Sequence, residues 1–85
     1  MTYAVEFVRS ARKELSKLPK DTQKTVLRGI LALSAAPRSG SVRKMVGDKS
    51  WRLRVGDYRV IYEIQDKQLL ILVIKIGHRQ NVYKK

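Results

Sequence analysis

Apolar and polar side chains alternate strictly on both sides of a two-residue break between Trp51 and Tyr62. The order is Trp51-Arg52-Leu53-Arg54-Val55, then Gly56-Asp57, then Tyr58-Arg59-Val60-Ile61-Tyr62. Period-two alternation around a Gly-Asp pair predicts a β-hairpin, with glycine first as a type II′ turn prefers. The loop then sets the register. Val55 falls opposite Tyr58, Arg54 opposite Arg59, Leu53 opposite Val60, Arg52 opposite Ile61 and Trp51 opposite Tyr62. Successive side chains point to opposite faces of a strand. Trp51, Leu53, Val55, Tyr58, Val60 and Tyr62 therefore share a core face, and Arg52, Arg54 and Arg59 share the other.

The same pattern organises the rest of the chain. Tyr3 to Val8 alternates and is β-prone, which predicts a first strand. Ser10 can N-cap a short helix, on which Ala11, Leu15 and Leu18 form a narrow apolar stripe. Pro19 ends it. Asp21 is the expected N-cap of a second helix running to about Ala35, with Val26, Leu27, Ile30, Leu31 and Leu33 facing the core and Pro37 as the stop. Gly29 costs that helix about 1 kcal/mol relative to alanine. The outer face of this helical hairpin carries Lys13, Lys17, Lys20, Lys24 and Arg28, which suits either an ordinary solvated surface or a secondary contact with RNA.

Arg38 to Ser41 reads as a loop, Val42 to Val46 as a short strand, and residues 47–50 as a turn into the main hairpin. The strand after Tyr58 runs to about Gln65. Asp66-Lys67-Gln68 turns, and the apolar run from Leu69 to Ile76 predicts a central strand covered on both faces. Its parity depends on the turn. A two-residue loop would put Lys75 on the core side. A three-residue loop would put Lys75 beside Arg59, with Leu70, Leu72, Ile74 and Ile76 inward, and this is preferred because burying an unpaired lysine is costly. Gly77 permits a bend before His78 and Arg79, so Arg79 tends to the same face as Lys75.

The predicted fold is a single α+β domain over residues 1–85: an N-terminal strand, a two-helix hairpin, then an antiparallel meander of three or four strands. Both helices pack on one face of the twisted sheet, leaving the other face open and basic. Eighty-five residues leave room for one thin core. No cysteine is present, which excludes disulfides, thiolate nucleophiles and cysteine zinc sites. No signal peptide is visible and the longest apolar run is too short to span a bilayer, so a cytoplasmic protein is expected.

Charge narrows the partners. The formal net charge is +12, from 19 Lys plus Arg against 7 Asp plus Glu. Such a field favours polyanions: nucleic acid, an acidic protein or, least well matched by these dispersed cations, an anionic membrane. Like charges placed opposite across a ladder are destabilising, so Arg54 facing Arg59 is either a tolerated solvated face or a fork of guanidiniums set for phosphate. The seven carboxylates are scattered and do not suggest a two-metal nuclease. His78 has no second histidine for paired acid–base work, and its place at a strand end fits either a structural or a functional role.

The hairpin Trp51 to Tyr62, followed by Ile76-Gly77-His78-Arg79 and a terminal Val82-Tyr83, resembles the RelE/ParE superfamily of bacterial toxins across essentially the whole chain. The resemblance implies a RelE-like fold and a type II toxin–antitoxin module. RelE-like members cut messenger RNA in the ribosomal A site, whereas ParE-like members poison DNA gyrase. By that resemblance Arg52, Arg54, Arg59, Arg79 and Tyr83 match the RelE-type site, with His78 beside it. Lysines are familiar where this chain has Arg52 and Arg54. The Val82-Tyr83 ending favours the RelE branch.

The expected activity is metal-independent cleavage by the RNA 2′-hydroxyl, without cofactor, with Lys75, Lys49 and Lys44 as further RNA contacts. An arginine cannot serve as a neutral base near pH 7, so the base is His78, Tyr83 or no discrete group. The implied partners are the ribosome with its messenger and a cognate acidic antitoxin, with no membrane. A gyrase inhibitor of ParE type and an inactive RNA- or ribosome-binding module are the competing expectations.

Overall fold

Val55 and Tyr58 face each other across a turn whose first central residue, Gly56, has φ +56°. Asp57 keeps a negative φ, which makes the turn type II′. The computed structural model describes residues 2–38, 42–44 and 50–78. Its elements are β1 (Ala4–Phe7), α1 (Arg9–Ser16), α2 (Lys20–Leu33), β2 (Val42–Lys44), β3 (Ser50–Val55), β4 (Tyr58–Gln65) and β5 (Leu70–His78), with a 3₁₀ turn at Asp66–Gln68. They form one mixed sheet ordered β1-β5-β4-β3-β2. β2 to β5 make a four-strand antiparallel meander, and β1 closes the far edge parallel to β5. The α+β class and the register of the β3–β4 hairpin are as the sequence predicts.

Both helices begin differently from expectation. Val8, not Ser10, is the N-cap of α1, because its N–H is already given to Val73 O at 2.9 Å and the paired strand runs straight into the helix. Pro19, not Asp21, precedes α2, and its carbonyl accepts the Gln23 N–H at 2.8 Å. Asp21 lies in the first turn, where its charge complements the helix dipole. Gln23 Nε2 also donates to Leu18 O at 2.8 Å, tying the second helix to the end of the first. α2 stops at Leu33, short of Ala35, where the next residue's carbonyl accepts the Tyr3 N–H at 2.7 Å.

Ala11, Val26, Ile30 and Leu33 from the helices meet Leu53, Val60, Tyr62, Ile71, Val73 and Ile76 from the sheet. Leu31 is 61% exposed. With Ile30 and Leu33 inward, the helical rotation of about 100° per residue turns it out, correcting its place in the core stripe. Gly29 has a packing reason: a Cβ there would lie 3.0 Å from Val55 Cγ2 and 3.4 Å from Leu53 Cδ2. Tyr62 is fully buried and its hydroxyl donates to Pro37 O at 2.6 Å, fastening the chain after α2 beneath the sheet.

β5 departs most from expectation. Gln65 pairs with Leu70, so the turn holds residues 66–69 rather than three. The extra residue is Leu69, in the left-handed region at φ 51° and ψ 50°. The inward residues are consequently Ile71 and Val73, not Leu70, Leu72 and Ile74. A β-bulge then flips the parity back. Tyr62 pairs with Val73 but Ile61 with Lys75, leaving Ile74 as the extra residue. Ile76 is inward and Lys75 shares the face of Arg59, both as expected. The strand also continues through Gly77 to His78 without a break at the glycine.

Candidate nucleic-acid interface

Three arginines leave the hairpin on the side away from the helices. Arg54 and Arg59 are direct register partners on β3 and β4, which sets their Cβ atoms about 4.5–5.5 Å apart. Arg52 stands two residues along β3, opposite Ile61. Beyond Arg59 the next register position is Gly77, which offers no side chain to crowd the guanidinium. Arg54 is exposed, Arg52 and Arg59 are half-buried, and Arg59 Nε is buried. The fork is thus mounted on two paired strands.

The surrounding residues divide. Lys75 shares this face by register, but its Nζ donates to Glu14 Oε2 at 3.3 Å at the sheet edge. Lys44 is exposed and pairs with Trp51, which places it on the helix side of the sheet and away from the arginines. His78 is likewise displaced. It pairs with Tyr58 and packs its ring edge-on against the tyrosine, with centroids 5.7 Å apart and planes at 76°. Tyr58 belongs to the core face, so His78 and the arginines lie on opposite sides. Lys49, Arg79 and Tyr83 fall outside the described residues.

Two positions escaped the sequence reading. Arg43 occupies the register position opposite Arg52; the strand β2 was expected, but nothing in its sequence fixes its register. Glu14 caps the edge of β5 by accepting the Ile76 N–H at 3.0 Å. Its place just before Leu15, on the border of the apolar stripe of α1, was the available signal. The open face is also less uniformly basic than expected. Away from the hairpin tip it carries Ile61, Leu70, Leu72 and Glu63.

A second charged cluster ties the opposite end of the sheet. Arg38 grips Asp66 with two bonds, Nη1 to Oδ1 at 3.2 Å and Nη2 to Oδ2 at 2.8 Å, and lies 5.6 Å over the Trp51 ring. Tyr3 donates its hydroxyl to Asp66 Oδ1 at 2.7 Å. The Arg38 bonds, helped by Tyr3, hold the Asp66 carboxyl below its usual range, and the bond to Asp66 raises the Tyr3 hydroxyl. Arg38 is thereby committed to structure. A cavity of about 260 Å³ lies between the start of α2 and the hairpin tip, but Asp21 and Asp57 in its lining make it a poor seat for a polyanion. Among the described residues no three His, Asp or Glu side chains come together as a metal-binding group, and no helix is long and apolar enough to cross a membrane.

Residues 5–83 match the family described as the ParE toxin of the type II toxin–antitoxin system parDE. The chain belongs to the RelE/ParE superfamily of type II toxins. Toxin RelG of Mycobacterium tuberculosis is 30% identical, with both chains covered in full. The mRNA interferase toxin RelE of Escherichia coli K12 is 27% identical over 94% of this toxin and 86% of its own length. The RelE chain of the archaeal RelE–RelB complex from Pyrococcus horikoshii superposes with a TM-score of 0.80 at 32% identity, covering 95% of this toxin and 99% of that chain.

Proposed function

We propose that this toxin is a ribosome-dependent endoribonuclease that cuts messenger RNA in the A site. The observation that carries the reading is the Arg54–Arg59 pair with Arg52 beside it, on paired strands facing away from the helices. Relatives named mRNA interferases add to it.

In the proposed reaction the 2′-hydroxyl oxygen bonds to the adjacent phosphorus and the bond to the 5′ oxygen breaks. The products are a 2′,3′-cyclic phosphate and a 5′-hydroxyl. The proton lost by the 2′-hydroxyl passes to Tyr83 or solvent, and the leaving oxygen takes one up. Negative charge grows on the phosphoryl oxygens along the way. Arg59, with Arg79, clamps that phosphate, while Arg54 and Arg52 hold it and its neighbour. A preorganised guanidinium is worth most where charge develops, typically 10²–10³ in rate for one such donor. The helix-side placement of His78 argues against a base role for it. A cradle of charges without a deep cleft holds RNA weakly in one pose, so the ribosome supplies the codon's orientation.

The partner proposed for the resting toxin is an acidic antitoxin that covers the arginine face. The Pyrococcus horikoshii RelE was solved together with RelB, and the net charge of +12 suits an acidic cover. The second reading is a gyrase poison, favoured by the match to the ParE family description. Inducible expression separates them. Primer extension on messenger is expected to show cuts within codons, and supercoiling by gyrase is expected to stay normal. Trapped gyrase breaks with intact messenger would favour the second reading. Ribosome association without cut product would favour an inactive binding module.

A further inference from the structure

β1 ends at Phe7, opposite Val73, so along its last residues β5 is paired with β4 on one side and has no strand on the β1 side. Glu14 of α1 fills that edge. Its Oε1 accepts the Ile76 N–H at 3.0 Å and its Oε2 accepts from Lys75 Nζ at 3.3 Å. One carboxylate thus satisfies a backbone donor and restrains a cation. The register places Lys75 opposite Ile61, the row next to Arg59. Its side chain therefore starts on the arginine face and ends at the edge, on Glu14.

That ion pair is easy to exchange. A separation of 3.3 Å exceeds the roughly 2.7–2.9 Å of a tight charge-assisted bond. The two side chains are 43% and 32% exposed, so water and salt screen them. A phosphate arriving at Arg59 would offer Lys75 a second anion within reach of its flexible stem.

We infer that Glu14 is a positioning residue that holds Lys75 off the arginine face until an RNA phosphate draws it across. Lys75 then joins the arginines only when RNA is seated, which tempers binding to stray polyanions. The inference rests on the preceding reading of this face as an RNA site.

Two substitutions separate its parts. Glu14→Gln keeps an acceptor for the Ile76 N–H and removes the charge that holds Lys75. Glu14→Asp keeps the net charge and withdraws the carboxylate by one methylene. The measurement is the affinity of purified toxin for a short mixed-sequence single-stranded RNA at fixed salt, with thermal unfolding of each variant as a check on folding. Both variants are expected to bind about two- to fivefold more tightly, the range set by a partly exposed ion pair. In a Lys75→Met background neither is expected to change affinity. Unchanged affinity in both variants, or a gain that persists in Lys75→Met, overturns the latch and leaves the RNA reading standing. Should Glu14→Gln fail to fold, Glu14→Asp decides. Wild-type toxin that ignores the RNA overturns the latch, whereas the reading of the face as an RNA site falls only if messenger on ribosomes also stays uncut.

Discussion

A guanidinium keeps its proton near neutral pH, so Arg52, Arg54 and Arg59 can act only through charge and hydrogen bonds. Their worth therefore depends on where the backbone aims them, and the direct pairing of Arg54 with Arg59 does the aiming. Tyr62 shows the same dependence on place in the core. Burial, opposed by the nearby charge of Arg38, pushes its hydroxyl up from the usual 10.0 to about 12. A folded value above the unfolded one means that its contribution is complete below about pH 10 and is lost as pH rises through 12. Tyr62→Phe removes the bond to Pro37 O and is expected to cost about 1 kcal/mol near neutral pH. Denaturant titrations across the alkaline range check both points: the variant starts less stable, and its stability falls less steeply above pH 10.

Among the elements, the β3–β4 hairpin was legible because a two-residue Gly-Asp turn and strict alternation fix register together. β5 was not, because two irregularities sit where its sequence is uniformly apolar. Leu69 in the left-handed region adds a residue to the turn, and the bulge at Ile74 restores the parity. An almost unbroken apolar run carries no alternation that would reveal either. The helix starts were misread because a strand hydrogen bond from Val8 and the carbonyl of Pro19 set them, rather than the polar caps nearby. Packing of α2 on β3 gives a test at this scale. Gly29→Ala gains about 1 kcal/mol of helix propensity but places a methyl 3.0 Å from Val55 Cγ2, and overpacking costs about 1–3 kcal/mol. A net loss of about 1 kcal/mol is expected by chemical denaturation. Against a Val55→Ala background the same substitution is expected to be neutral or stabilising.

For the whole molecule, the sheet separates two kinds of chemistry. The helix side holds the core, His78 on Tyr58 and the acidic cavity, and the other side holds the arginine fork. The fork was legible from alternation alone. The sides taken by Lys44 and His78 were not, since each depends on a register set by a partner strand distant in sequence. If three arginines each meet one phosphate, affinity for single-stranded RNA falls with salt at a log–log slope of about −2, or about −0.7 per contact. Arg54→Ala is expected to flatten that slope by about 0.7, which fluorescence anisotropy at a series of salt concentrations would show. The most direct test of the arginine cradle is the single-turnover rate of messenger cleavage on programmed ribosomes by wild type, Arg59→Ala and His78→Gln. The account predicts a fall of about 10²–10³ for Arg59→Ala and a near wild-type rate for His78→Gln. Undiminished cleavage by Arg59→Ala would contradict it.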